Sequence, residues 1–122
     1  MAQQSTNVVI LLGNLCKEPN LRWTPKGKAV CDLLIATNRK SGQADYIPAI
    51  TWGANAEACG RHLKKGSQVQ IVGRIKSRNY EKDDPQNPGE KLKHVAIEVD
   101  VDQIHFLDGK EKSEDAESAD FA

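Results

Sequence analysis

The chain has 122 residues, of which 39% are hydrophobic and 28% are charged, and its formal net charge is zero. This length allows one domain with a single modest core. No apolar run approaches the roughly 20 residues that span a bilayer, and the first residues lack the basic start and apolar stretch of a signal peptide. The composition therefore predicts one folded domain and excludes a membrane-spanning protein from the expected classes.

Three cysteines, Cys16, Cys31 and Cys59, are odd in number and widely spaced. No C-x-x-C pair exists, so the sequence does not predict a zinc ribbon or another metal site. We expect all three thiols to be reduced and structural, as is usual in a cytosolic protein.

The zero net charge hides a segregation of charge along the chain. Residues 1–107 hold 15 Lys and Arg against 11 Asp and Glu, whereas residues 108–122 hold two Lys against six acidic residues. A mildly basic body attracts a polyanion, and an acidic tail repels or mimics one. A polar tail that only improves solubility has the same composition, so both interpretations of the tail stay open.

The first half of the chain predicts two strands and a polar link. The apolar run of residues 8–12 ends at Gly13 and Asn14, and a second strand is predicted over residues 29–37. Between them we expect a polar loop that holds Arg22 beside Trp23, followed by a turn over residues 24–27.

A third strand is predicted over residues 45–53 and a helix over residues 54–65. The strand period of two places one set of side chains on a common face: Tyr46, Pro48, Ile50 and Trp52. The helix is expected to bury Ala56, Cys59 and Leu63 and to end at Gly66.

Two more strands are predicted over residues 68–75 and 94–101. The alternating apolar side chains of both are expected to face a core: Val69, Ile71, Ile75, Val95, Ile97, Val99 and Val101. Loops are expected over residues 38–44 and 80–91, the second being rich in charge, Pro and Gly.

This order of elements predicts an all-β protein with one short helix. A helix between the third and fourth strands of a five-stranded Greek-key barrel is the arrangement of the OB-fold. We assign residues 1–107 to this domain. Residues 108–122 lack the apolar content to fold alone, and we expect them to form a flexible, disordered acidic tail.

The main candidate site is a basic stripe on the fourth strand. A strand that continues past residue 75 places three cations and a ring on one face: Arg74, Lys76, Arg78 and Tyr80. Cations that follow a phosphate backbone and a ring that stacks on a base are features of a single-strand nucleic-acid groove. A solvated strand face has the same pattern, and this alternative stays open.

Two further aromatic positions allow two interpretations each. Tyr46 and Trp52 share a face, and such a pair belongs either to the core or to a ligand platform. Trp23 lies beside Arg22 and either contacts a ligand or covers the edge of the core. The basic stripe favours the ligand interpretation for Tyr46 and Trp52.

An enzyme is the less favoured alternative. His62, His94 and His105 could act as bases or metal ligands. None lies in an H-E-x-x-H pattern, no serine lies in a nucleophile elbow, and no Gly-rich phosphate loop precedes a lysine. The sequence therefore predicts no catalytic residue, no metal and no cofactor.

Five segments resemble the bacterial single-stranded DNA-binding protein (SSB) family: VILLGNLCKEPNLRWTPKGKAV, LLIATNR, WGANAE, LKKGSQVQIVGRIKSRNY and VAIEVDVDQIHFL. The resemblance covers about residues 7–107. It implies an OB-fold assembled as a homotetramer that binds single-stranded DNA without sequence preference during replication, recombination and repair. It also implies a location in the bacterial cytoplasm, associated with the nucleoid.

The resemblance implies roles for individual residues. Base-stacking aromatics match Tyr46, Trp52 and Tyr80, and backbone-contacting cations match Arg22, Lys65, Lys76 and Arg78, to which the strand period adds Arg74. In the loop where some members carry a stacking tryptophan, this chain has a short basic segment in which Arg39 and Lys40 add charge.

The end of the chain departs from the family pattern. Family tails run through a long linker to an acidic tip that ends in Pro-Phe, whereas this tail is short and ends with Ala122. The candidate partner-binding residues for replication and repair enzymes are Asp115, Glu117, Asp120 and Phe121. An OB-fold adaptor of the replication-restart machinery that mainly binds protein is the alternative function.

Overall fold

Six strands and one helix make up residues 4–107, which are the part of the chain that the computed structural model describes. In chain order the elements are β1 (Val9–Leu15), β2 (Asn20–Trp23), β3 (Ala29–Asn38), β4 (Ala44–Trp52), α1 (Gly53–His62), β5 (Gln68–Asp83) and β6 (Lys91–Phe106). The predicted class, all-β with one short helix, is confirmed.

The strands form one sheet that closes on itself. Their order is β1-β5-β6-β4-β3-β2, and β1 also pairs with β3 through Asn14 and Leu15. All pairings are antiparallel except that of β4 with β6. Five strands thus form a closed barrel with a helix between the third and fourth of them, which confirms the OB-fold.

Two segments predicted as loops form strands. Arg22 and Trp23 belong to β2, which pairs with Val30 and Ala29 of β3 and extends the sheet. Residues 80–83 continue β5, and only residues 84–90 connect it to β6. Both segments are polar, but the edge of a neighbouring strand offers backbone donors and acceptors that pair regardless of side-chain polarity.

The helix α1 is shorter than the predicted span over residues 54–65. It ends at His62, where the Leu63 N–H donates to the Cys59 carbonyl at 3.0 Å, and residues 64–67 form a turn. The turn needs the positive φ of Gly66, which is 95°. Ala56 and Cys59 are buried as predicted, and Leu63 is buried just beyond the helix.

The core lies inside the barrel. Thirteen buried residues form one cluster, and all but a few come from the inward side of the strands: Leu15, Ala29, Cys31, Leu33, Ile35, Ala49, Ala56, Cys59, Leu63, Val69, Ile71, Val99 and Val101. The cysteines are free, and burial raises the pKa of the Cys59 thiol to about 12, with the nearby Cys31 adding to the shift. The expected structural role of the thiols agrees with this burial.

Three residues that the sequence predicts in the core are exposed. Ile75, Val95 and Ile97 share the inward side of β5 and β6, yet their exposed fractions are 48%, 61% and 53%. The reason is the length of the two strands, which have 16 residues each and extend beyond the barrel as a two-stranded ribbon. The alternation of apolar and polar residues predicted the correct side of each strand. That side is covered by other core residues only within the barrel, and it is exposed in the ribbon.

A bulge in β6, where Asp102 has no partner between Gln103 opposite Val72 and Val101 opposite Gly73, lies where the barrel meets the ribbon. A Cβ atom added at Gly73 would lie 2.2 Å from the Asp100 carbonyl oxygen, which is far inside normal contact. Glycine is required here because β6 passes directly against the backbone of β5.

We expect Gly73→Ala to lower the free energy of unfolding by about 1–3 kcal/mol, because the backbone of β5 or β6 must shift to admit the methyl group. Urea denaturation at one fixed protein concentration measures the effect. Ser77→Ala, an exposed change on the same strand, is the matched control and should change the unfolding free energy by less than about 0.5 kcal/mol. Equal midpoints for the two variants would contradict the close approach at Gly73.

Candidate nucleic-acid interface

The candidate interface is the outward surface of the curved sheet. Residues paired across neighbouring strands point to the same side of a sheet, and the registers of β2 through β6 align one set of outward side chains. We call this set the outer face: Arg22, Asp32, Tyr46, Trp52, Arg74, Lys76, Arg78, Tyr80, His94, Glu98 and Asp100. It combines three aromatic rings and a histidine with four cations and three carboxylates.

Tyr46 and Trp52 lie on the outer face of β4, as the period of two predicted. Tyr46 is 62% exposed, so it has little packing to lose. Trp52 is half-buried at the end of the strand, and the Lys28 ammonium lies 5.2 Å from the centre of its ring. Both rings are therefore available at the surface, and the second already carries a cation.

Tyr80 lies on the ribbon, opposite His94 of β6. The two ring centres are 5.3 Å apart and their planes differ by 22°, which is a stacked arrangement. The Arg78 guanidinium carbon and the Lys82 ammonium each lie 5.7 Å from the centre of the Tyr80 ring. The predicted stripe of Arg74, Lys76, Arg78 and Tyr80 does lie on one face, because β5 continues to Asp83.

All three arginines of the outer face contact carboxylates. Arg22 pairs with Asp32 at 2.9 Å between Nε and Oδ2, and this hydrogen bond raises the pKa of the guanidinium. Arg74 and Arg78 lie 3.8 and 3.7 Å from carboxylate oxygens of β6. Lys76 has no ion pair among residues 4–107. The three arginines are thus held over the face by weak ion pairs.

The partners of Arg74 and Arg78 are Asp100 and Glu98, whose side chains are only 19% and 17% exposed. Both carboxylates lie on β6 directly opposite a cation of β5, since Arg74 is paired with Asp100 and Lys76 with Glu98 in the register. The charge of the face is therefore more balanced than the basic stripe alone indicates.

Four of the sequence-predicted residues lie away from the outer face. Arg39 and Lys40 are in the turn between β3 and β4, where Arg39 donates to Asp45 at 2.7 Å and this contact lowers the pKa of the Asp45 carboxyl. Lys65 follows α1, and its backbone N–H donates to Glu18 at 2.8 Å. Trp23 is 56% exposed and alternates with Arg22 along β2, so it points to the other side of that strand.

Sequence reasoning did not assign Lys28, His94 or the three carboxylates to the interface. The alternation of side chains along a strand places His94 and Val95 on opposite faces of β6, just as it placed Tyr80 on the face of the cations. That His94 lies opposite Tyr80, however, depends on the register between β5 and β6. Lys28 precedes β3, and only the pairing of Val30 with Trp52 brings its ammonium to the ring. The place of these residues on the interface could be recognised only once the pairing of the strands was known.

Other kinds of site have less support. Among residues 4–107, no three His, Cys, Asp or Glu residues form a group that could hold a metal ion. The same residues contain no helix that is long and apolar enough to cross a membrane. The tail candidates Asp115, Glu117, Asp120 and Phe121 lie outside the described residues.

Comparison with known proteins gives one consistent family. The model of the "Single-strand binding protein family" matches residues 6–107. Single-stranded DNA-binding protein 2 of Listeria innocua is 36% identical in an alignment 121 positions long that covers 94% of this chain and 72% of the relative. Single-stranded DNA-binding protein A of Bacillus subtilis is 39% identical in an alignment 110 positions long that covers 85% of this chain and 60% of the relative.

A third relative, the single-stranded DNA-binding protein of Clostridium tetani, is 35% identical over 84% of this chain and 70% of its own length. The chain thus spans between 60% and 72% of the length of these three relatives. The family match covers nearly all of the described residues, including every residue of the outer face. The chain therefore belongs to the single-strand binding protein family.

Proposed function

We propose that this protein binds single-stranded DNA without sequence preference and protects it during replication, recombination and repair. The observation that carries the proposal is the outer face, where Tyr46, Trp52 and Tyr80 present rings among cations on one continuous surface. Family membership and the names of the relatives support the same function. We further propose that it acts in the bacterial cytoplasm at the nucleoid, and that residues 1–107 are its DNA-binding domain.

The rings provide an affinity that does not depend on sequence. Every base has a π-face, so an aromatic platform stacks on any unpaired base, and each such stack contributes about 1–3 kcal/mol. The bases of a duplex are already stacked on each other, and they must be unpaired before they can reach Tyr46 or Trp52. The outer face therefore discriminates single strands from duplexes.

The cations provide an electrostatic contribution that requires an exchange of partners. A phosphate that approaches Arg74 or Arg78 competes with a carboxylate already at 3.7–3.8 Å. These pairs are exposed on the arginine side, so each contributes only about 0.2–1 kcal/mol and is readily replaced. In the free protein the carboxylates hold the guanidinium groups over the face, and in the complex the phosphates take their place.

Two exposed apolar surfaces support the homotetramer that the resemblance implies. Ile10 and Leu12 on the outward side of β1 are 63% and 53% exposed, and Val8, just before the strand, is 63% exposed. Ile75, Val95 and Ile97 form the second surface at the open end of the barrel, beside an apolar cleft of about 360 Å³. Exposed apolar patches favour association, and a tetramer with two kinds of isologous contact needs two such surfaces.

The edge of β1 offers a specific mode of pairing. Within residues 4–107, β1 pairs with β3 only at Asn14 and Leu15, so the edge of its first half has no strand partner. A strand edge with unpaired N–H and C=O groups readily pairs with another chain. We propose that β1 of a second copy lies along this edge and covers the side chain of Ile10.

The last part of the proposal concerns the acidic tail. We propose that Asp115, Glu117, Asp120 and Phe121 contact replication and repair enzymes. An adaptor that mainly binds protein would need the tail or the apolar cleft, but it would not need the aromatic rings and the cations of the outer face. A catalytic role finds no support in the residues of the face, and we propose binding alone.

The binding test uses a labelled oligo-dT and fluorescence anisotropy over a range of salt concentrations. We expect tight binding at low salt, with log affinity falling against log salt by about 0.7 for each phosphate neutralised.

Tyr46→Ala and Trp52→Ala should each weaken binding by about 1–3 kcal/mol. Circular dichroism checks that each variant is folded. A duplex bound as tightly as oligo-dT would contradict the stacking proposal, and no binding of either would favour the adaptor.

Removal of a carboxylate from the outer face should strengthen binding. Glu98→Gln frees Arg78 and removes a charge that repels phosphates, and we expect a gain of about 0.5–1 kcal/mol at low salt. Glu81→Gln is the matched control, because Glu81 lies on the other side of the ribbon, opposite Lys93. The same oligo-dT titration measures both. Equal effects of the two changes would show that only net charge matters and not the pair with Arg78.

Introduction of a charge on β1 should disrupt the oligomer. We expect Ile10→Glu to shift the mass measured by light scattering from the tetramer to a smaller species, because burial of an unpaired carboxylate is unfavourable. Gln86→Glu, an exposed change in the connection between β5 and β6, adds the same charge at a residue that belongs to neither apolar surface and should leave the mass unchanged. A monomeric wild-type protein at micromolar concentration would refute the assembly without affecting the DNA-binding proposal.

A further inference from the structure

The ribbon formed by the Asp83 end of β5 and the Lys91 end of β6 has no neighbouring strand along either edge within residues 4–107. β5 pairs with β1 only as far as Gly73, and β6 pairs with β4 only at Val99 and Asp100. At the level of Tyr80 and His94, no strand among residues 4–107 flanks the ribbon. A ligand can therefore reach the side chains of its outer face from either edge.

The two rings on this ribbon differ in what surrounds them. Tyr80 has the His94 ring stacked on it, and it also has the Arg78 guanidinium and the Lys82 ammonium at 5.7 Å from its centre. His94 has the Tyr80 ring as its one ring contact, and within residues 4–107 its imidazole makes no hydrogen bond or ion pair. The face of the imidazole that points away from Tyr80 is thus the less occupied of the two.

We propose that His94 is a nucleic-acid-binding residue and that an unpaired base stacks on its free face, with Tyr80 as the second ring beneath it. This inference rests on the proposed function and adds to it a residue and the order of the stack. The ligand class is a single-stranded nucleobase of any identity, because the platform offers a π-surface rather than a pattern of donors and acceptors.

The contacts of Tyr80 are the reason that we expect the base to stack on His94 and not on Tyr80. A base that stacked directly on Tyr80 would displace either the imidazole or the two cations, and it would lose their favourable contacts with the ring. A base on His94 leaves all of these contacts in place and extends the stack from two rings to three. Arg78 and Lys82 then stay at the sides of the stack, where they can meet the phosphates on either side of that base.

The first test replaces His94 and measures oligo-dT affinity by anisotropy at low salt. We expect His94→Ala to weaken binding at least about fivefold, the lower end for loss of one stacked base. His94→Phe keeps a flat ring and should stay within about twofold of wild type. Asn79→Ala, next to Tyr80 but on the other side of the ribbon, is the control and should not change the affinity.

A double substitution tests whether the rings act together. If they form one platform, the pair Tyr80→Ala and His94→Ala should bind no more than about twofold worse than the weaker single variant. Fully multiplied losses would instead indicate two independent contacts and would overturn the shared platform. His94→Leu, which keeps apolar volume on the strand without a ring, gives the same test if the alanine variant does not fold.

The outcomes separate this inference from the general function. Unchanged or stronger binding by His94→Ala, with Tyr46→Ala still weakened, would show that no base depends on His94 for its stacking. The inference would then fail while the proposed function stands. A wild-type protein that does not bind oligo-dT at low salt would overturn both.

Discussion

The interface depends on the register between two long strands. β5 and β6 pair over nearly their whole length, from Val69 opposite Phe106 to Asp83 opposite Lys91. The alternation of side chains sends Val69 and Ile71 into the barrel and their neighbours outward. The bulge at Asp102 joins the barrel to the ribbon, and beyond it the same alternation lines up Lys76, Arg78 and Tyr80. A slip of one residue would exchange the two faces and place the cations on the inward side.

The electrostatics of the outer face follow from this register. Each arginine of the stripe has a carboxylate of β6 within 4 Å, and these carboxylates are less exposed than the arginines they contact. A balanced face avoids the mutual repulsion of several cations in the free protein, and it leaves guanidinium groups that can exchange partners. In the binding mode that we propose, a polyanion competes with Asp100 and Glu98 for these arginines, so its affinity is not set by the net charge of the chain, which is zero.

The apolar residues outside the barrel have a related origin. Ile75, Val95 and Ile97 lie on the inward side of strands that have left the barrel, so the side that is buried at Val99 is exposed a few residues away. The outward side of β1 is apolar as well, and within residues 4–107 no strand lies along one edge of its first half. In the homotetramer that we propose, the sheet of one subunit would cover these surfaces of another.

The sequence alone determined the fold class, the inward and outward sides of most strands, and the shared face of Tyr46 with Trp52 and of Arg74 with Tyr80. These properties are local, because the period of two depends only on a strand being extended. The strand nature of β2, the length of the ribbon, the exposure of Ile97 and the stack of His94 on Tyr80 were decided only by the tertiary structure. They depend on which backbone lies beside which and in what register, and neither is encoded in the pattern of one strand taken by itself.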